Sequence, residues 1–149
     1  MVQLNKRYLV VDANVIGHAS RDSLDNQSIK AHKLLASIYQ DCHKIVVDYS
    51  KRNQDNIIDE YERQTRSVFT RNWLIVMNRK NKIVQRNRAL ITIRACTDPD
   101  DQKYFQVAVN TTHKIIISED SHFTEIKEDP EVIGRGITIW EFTDALSNL

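Results

Sequence analysis

Arg7-Tyr8-Leu9-Val10-Val11-Asp12-Ala13-Asn14-Val15-Ile16 sets an unbroken apolar run against an acid. Leu9, Val10 and Val11 have the character of a strand buried on both faces of a parallel sheet, where apolar residues follow one another instead of alternating. An unpaired charge inside such a strand is expensive. Asp12 is therefore expected where the strand leaves the sheet, at its carboxyl end, the edge at which open α/β sheets bind ligands. Asn14, two residues later, offers a second oxygen from the same turn.

Outward from this strand, Ala31, Leu34, Leu35, Ile38, Tyr39 and Cys42 recur at helical spacing and predict a helix over 31–42, capped by Ser28 or Asn26. The preceding residues 17–26 read as a loop or a short helix. A β-branched strand is expected over 44–49. Ile57, Ile58, Tyr61, Thr65, Val68 and Phe69 predict a helix over 54–70 with Glu60 at the edge of its apolar side. A further helix over 71–81 carries Trp73, Leu74, Val76 and Met77, and Trp73 is read as core. Residues 83–96 fit either a strand through Ile91 and Ile93 or a helical end over 86–90. Thr97-Asp98-Pro99-Asp100-Asp101 is a turn and helix cap, and a helix follows to about residue 112. Lys114-Ile115-Ile116-Ile117-Ser118 repeats the opening pattern, an apolar strand running into acids, here Glu119 and Asp120. Loop signals at 128–130 and 134–136, a strand over 137–140 and a helix over 141–149 complete the chain.

Strands alternating with helices predict a three-layer α/β fold: a central parallel sheet of about four to five strands, helices on both faces and right-handed crossovers. The 149 residues, 41% of them hydrophobic, suit one domain spanning 1–149. Parallel strands direct Asp12 and Asp120 to one edge, and Asp101, opening its helix, reaches the same edge if its loop lies there.

No run approaches the roughly 18 apolar residues that span a bilayer, and no signal-peptide segment precedes Asp12, so a cytoplasmic protein without a membrane partner is expected. Cys42 and Cys96 lack metal-ligand spacing and read as reduced thiols. His18, His32, His43 and His113 are scattered and read as solvated or locally bonded. The net charge of +1 conceals a basic middle, with 11 Lys and Arg against 4 Asp and Glu over 51–94, and an acidic end, with 4 against 11 over 95–149. Such a division suits a polyanion on one surface and clustered acids on another, or else two solvated helical faces.

Carboxylates gathered in one cleft stay ionised only when cations neutralise them, which makes the cluster a hard-metal site for Mg²⁺ or Mn²⁺. Metal ions in such a site activate water and stabilise a leaving oxygen without a protein nucleophile. Asp12-Ala13-Asn14-Val15 after its strand, Asp101 with Phe105 and Ala108, Ile115 to Asp120 with Phe123 following, and Glu60-Tyr61 together resemble the motifs of PIN-domain nucleases over most of the chain.

By that resemblance Asp12, Glu60, Asp101 and Asp120 are the catalytic acids and metal ligands of a divalent-metal endoribonuclease, supported by Asn14 and Ser118. His122 stands where many members carry a further acid, and Asp98 and Asp100 compete with Asp101. Lys51, Arg52, Arg63, Arg66, Arg71, Arg79 and Lys80 are the expected RNA contacts, through phosphates and without sequence specificity. The resemblance extends to small toxins held by an antitoxin-like protein and to homodimers. The competing expectation is a catalytically inactive PIN-like RNA-binding or protein-interaction module. An aspartyl-phosphate phosphatase is disfavoured, because Asn14 stands where its second acid is needed.

Overall fold

The computed structural model describes residues 6–21 and 24–149. Five strands, β1 (Tyr8–Val11), β2 (Lys44–Asp48), β3 (Ile83–Arg86), β4 (Ile115–Ile117) and β5 (Thr138–Trp140), form one sheet in the order β3-β2-β1-β4-β5, every pair parallel. This is the expected central parallel sheet. The strand order reverses between β1 and β4, which creates a crevice at their carboxyl ends.

Helices α1 (Ala13–Ala19) and α2 (Asn26–Gln40) connect β1 to β2, and α3 (Ile57–Gln64) and α4 (Val68–Arg79) connect β2 to β3. A short 3₁₀ helix (Pro99–Asp101) and α5 (Gln102–Val109) lead into β4; α6 (Ser121–Thr124), α7 (Pro130–Gly134) and α8 (Phe142–Asn148) surround β5 in the chain. Helix α5 packs directly on β1, β2 and β4, whereas α2 packs with α1, α4 and α8. Leu9, Val10, Val11, Ile45, Val46, Ile116, Leu34, Leu35 and Phe105 are all fully buried in one continuous core. No helix among the described residues is long and apolar enough to cross a membrane.

Local departures from the expected elements have identifiable causes. Helix α2 begins at Asn26, earlier than its apolar stripe, because Asp25 rather than Ser28 or Asn26 caps it: the Ser28 N–H donates to Asp25 Oδ1 at 2.8 Å. The helix expected over 54–70 is two helices. Its start is postponed to Ile57, whose N–H donates to Asp48 Oδ1 at 2.9 Å. It breaks after Gln64, where Ser67 accepts from the Thr70 N–H at 3.1 Å and caps α4, and where the Arg66 N–H turns to Ser20 Oγ at 3.1 Å. Side chains from elsewhere in the fold thus replace helical hydrogen bonds that periodicity assumed.

Neither reading of 83–96 is complete. The strand is Ile83–Arg86, and no helix covers 86–90. Ile91 and Ile93 alternate because they lie against α5, not because they pair in a sheet: Gln102 binds both the N–H and the carbonyl of Ile93, and Gln106 donates to the Ile91 carbonyl at 2.9 Å. Asp129 and Pro130 turn the predicted loop into the start of α7, since proline suits a first helical position and Asp129 accepts from the Glu131 and Val132 N–H groups. Trp73 is core, its indole N–H donating to the Leu35 carbonyl at 2.8 Å.

Ile116 lies between Val10 of β1 and Ile139 of β5 and is fully buried. Replacing it by alanine is expected to cost about 2–5 kcal/mol through lost burial and the cavity left behind. Ile75→Ala, at a residue 42% exposed, should cost less than about 1 kcal/mol. Urea denaturation of both variants, compared at equal m, measures the difference.

Candidate metal centre

Asp12 leaves β1 and caps α1, accepting from the Asn14 N–H at 3.4 Å through Oδ1. Its other oxygen accepts from the Ser118 hydroxyl at 2.7 Å. Ser118 in turn accepts from the Asp120 N–H at 3.0 Å, so one hydroxyl ties the carboxyl ends of β1 and β4 together. Asp120 repeats the role of Asp12 by capping α6, where it accepts from the His122 N–H at 2.9 Å. Each acid is therefore a helix cap that retains lone pairs for a ligand. The carboxyl edge holds both, as the two strand patterns predict.

Asp101, at the junction of the 3₁₀ helix and α5, joins this edge. Phe105 and Ala108, one and two turns along α5, are fully buried, which orients the start of the helix toward the crevice. His122 Nδ1 lies 3.1 Å from Asp101 Oδ2, and 3.7 Å from both Asp98 Oδ2 and Asp120 Oδ1. Ligand atoms of Asp98, Asp101 and His122 fall within 4.8 Å of one another. Asp98 thus accompanies Asp101 at the cleft instead of replacing it, while Asp100 is exposed and directs its N–H to Asp98 Oδ1.

The electrostatics are those of acids gathered out of water. Asp12 is only 6% exposed. Burial, opposed by the Ser118 hydrogen bond and reinforced by the charges of Asp101 and Asp120, pushes its carboxyl up to about 7. Asp101 is pushed up to about 6, first by burial and then by the charge of Asp98, with His122 acting in the opposite sense. The His122 imidazolium is favoured above its ordinary range by the Asp101 hydrogen bond and by the charge of Asp120.

Glu60 stands differently from the other expected ligands. Both of its oxygens are engaged, Oε1 by the Lys103 ammonium and Oε2 by the Tyr104 hydroxyl. Tyr104 also accepts from the Ala13 N–H at 3.2 Å, which places Glu60 beside the Asp12 turn but in a paired state. Burial, with the charge of Asp12 next, keeps the Tyr104 hydroxyl protonated far above its ordinary range. Tyr61, adjacent to Glu60, donates to the Val11 carbonyl at 2.5 Å and anchors α3 to β1.

Of the supporting residues, Ser118 is the bridge just described. Asn14 directs a buried Oδ1 that has no partner among the described residues, and it lines a cavity of about 300 Å³ with Arg21 and Arg66. Four of the basic residues divide between two edges of the sheet. Lys51 and Arg52 follow β2 at the carboxyl edge, whereas Arg79 and Lys80 end α4 and precede the amino end of β3, the opposite edge. Arg63 is paired with Asp55 at 3.0 Å, and Arg71 is exposed on α4.

Several participants escaped the sequence reading. Asp48 ends β2 as Asp12 ends β1, and the same strand-end logic would have flagged it; it is buried and accepts from Arg88 Nε and Nη2 at 2.8 and 2.5 Å. Lys103 and Tyr104 carried no such signal, because a lysine within a polar helix start reads as solvated. The other histidines are neither solvated nor bonded to sequence neighbours throughout: His43 and His113 accept from the Arg7 and Tyr8 N–H groups 36 and 105 residues away, His32 contacts the Ala19 carbonyl, and His18 Nδ1 is buried without a hydrogen-bond partner among the described residues.

Hard carboxylate oxygens with one imidazole nitrogen form a donor set that fits Mg²⁺ or Mn²⁺, and a cation would offset the burial and, after it, the neighbouring acidic charge that raise Asp12 and Asp101.

Because Asp12 and Asp101 bind protons more tightly in the folded chain than in the unfolded one, the stability they confer is fully present below about pH 4 and is lost as pH rises to about 7. In EDTA, the melting temperature should fall over that window. Asp12→Asn, which stays neutral, should flatten the slope and melt above wild type at pH 8. Thermal denaturation from pH 4.5 to 8, in buffers chosen for small ionisation enthalpies, measures it; an unchanged slope in Asp12→Asn would sink the electrostatic account.

No family model, curated protein or solved structure matches the chain.

Proposed function

We propose that this protein is a metal-dependent endoribonuclease with a PIN-like site, hydrolysing RNA phosphodiester bonds at the β1–β4 crevice with Mg²⁺ or Mn²⁺. One observation carries the reading: Asp12, Asp101 and Asp120 come from three separate elements, yet each raises or is raised by the charge of another. A fold gains nothing in stability from collecting acids this way, and perturbed carboxylates at a sheet edge are a mark of functional sites. When bound, a divalent cation supplies the Lewis acidity for phosphodiester hydrolysis.

The chain's own residues account for the rest. Asp12, Asp98, Asp101, Asp120 and His122 provide the donors for the ion. Ser118 holds Asp12 in place and fixes the Asp120 backbone, so the relative position of the two acids does not depend on loop order. Beside the crevice, a cavity of about 560 Å³ is lined by Tyr49, Lys51, Gln54, Asn87 and Arg88. Its cationic and amide groups suit phosphates and base edges, and Tyr49, 44% exposed, offers a face for a stacked base. A single-stranded RNA crossing from this cavity to Asp12 is the substrate class these groups fit. A toxin restrained by an antitoxin-like protein, with or without homodimerisation, is the setting that the PIN-like motifs suggest.

A second reading, an inactive PIN-like RNA-binding or protein-interaction module, is favoured by one feature, the engagement of both Glu60 oxygens. Metal-dependent cleavage separates the two. With a single-stranded RNA and Mn²⁺, Asp12→Asn and Asp101→Asn should each lose at least about a hundredfold in cleavage rate. RNA binding that ignores Mn²⁺, with no cleavage by wild type, would favour the module.

If RNA approaches along the carboxyl edge, removing Lys51 and Arg52 together should lower the slope of log affinity against log salt by about 1.4. Removing Arg79 and Lys80 should leave it unchanged. Fluorescence anisotropy across a salt series reads both.

A further inference from the structure

Lysine is seldom fully buried without a partner of opposite charge. Lys103, in the first turn of α5, is 4% exposed. Its Nζ contacts Glu60 Oε1, lies 3.2 Å from Asp55 Oδ2 and sits 5.8 Å from the centre of the Tyr104 ring. Glu60 is completed on its other oxygen by Tyr104, which is tied to Ala13, the residue after Asp12. The cleft therefore has two sides. Around His122, Asp98, Asp101 and Asp120 leave carboxylate oxygens facing an imidazole; around Lys103, the Glu60 carboxylate is already neutralised by an ammonium.

A two-ion site of the phosphodiesterase kind needs ligands for both ions about 4 Å apart. Here an ion on the Glu60 side would have to displace an ammonium from a buried carboxylate, and it would be repelled by that ammonium as long as it stayed. We propose that Lys103 is the resident cation of the cleft: it stands in for a second divalent ion, so the chain binds one divalent ion, on the Asp101 side, and Glu60 is a positioning residue and not a ligand. This rests on the reading of the crevice as a metal centre and departs from the four-acid ligand set that the motifs suggest. In its place Glu60 orients Tyr104 under the Asp12 turn, and Lys103 offsets negative charge that would otherwise add to that of Asp12.

Mn²⁺ titration of the whole chain at pH 7.5, by calorimetry and by electron paramagnetic resonance counting of bound ions, tests it. Wild type should bind one ion. Glu60→Gln should keep one ion, with affinity within about threefold of wild type, whereas Asp101→Asn should weaken binding by more than about tenfold. Lys103→Met, which keeps the length of the side chain and removes its charge, should free Glu60 and admit a second ion. Two ions in wild type, a more than about tenfold loss in Glu60→Gln, or a single ion in a folded Lys103→Met overturns the role of Lys103 and leaves the nuclease reading standing. Absence of any Mn²⁺ binding overturns that reading and this proposal with it. Should Lys103→Met fail to fold, the comparison of Glu60→Gln with Asp101→Asn decides.

Discussion

The pairing of β1 with β4 is the constraint on which the crevice depends. Leu9, Val10 and Val11 lie opposite Ile115, Ile116 and Ile117 in parallel register. The two strands therefore leave the sheet together, and Asp12 emerges beside Ser118, its N–H donating to the Ile117 carbonyl at 3.0 Å. A slip of one residue would turn each strand's side chains to the other face and part Asp12 from Ser118. The register is held by six apolar side chains, none more than 5% exposed. The hydrophobic effect, not any polar contact, brings the acids to within reach of one another.

On that scaffold the cleft is electrostatically uneven. The His122 side has acids in excess of cations, and burial holds Asp12 and Asp101 toward their protonated forms. The Lys103 side is closed by an ion pair and a tyrosine hydroxyl. A buried pair of this kind contributes little net stability relative to an apolar core, yet leaves a costly orphan if one member is removed. Asp55 extends the pairing outward, since its carboxylate meets Lys103 and Arg63 while its carbonyl accepts from Arg88. Arg88 is in turn held by Asp48 at the end of β2. The crevice and the neighbouring cavity are thus joined by a run of hydrogen bonds that passes from Glu60 through Lys103 and Asp55 to Arg88 and Asp48.

The local chemistry of chain breaks governs the outer layers. Ser67 and Thr70 end what apolar spacing extends as one helix, because their hydroxyls exchange hydrogen bonds with each other's backbone N–H groups. Ile91 and Ile93 alternate like a strand while two glutamines of α5 hold their backbone. Periodicity reports which residues are buried, and it is silent on what buries them.

The sequence by itself determined the alternation of strands and helices, the parallel sheet and the emergence of Asp12 and Asp120 at strand ends, because apolar runs bounded by acids and caps are local signals. The phase of α5 was legible in the same way, through Asp101, Phe105 and Ala108. Only the tertiary structure decided how the acids are paired. Glu60 meets Lys103 across 43 residues, Asp12 meets Ser118 across 106, and His122 meets Asp101 across 21. Whether a carboxylate is open to a cation or already neutralised depends on which side chain the packing of α5 against the sheet delivers to it, and no local pattern encodes that choice.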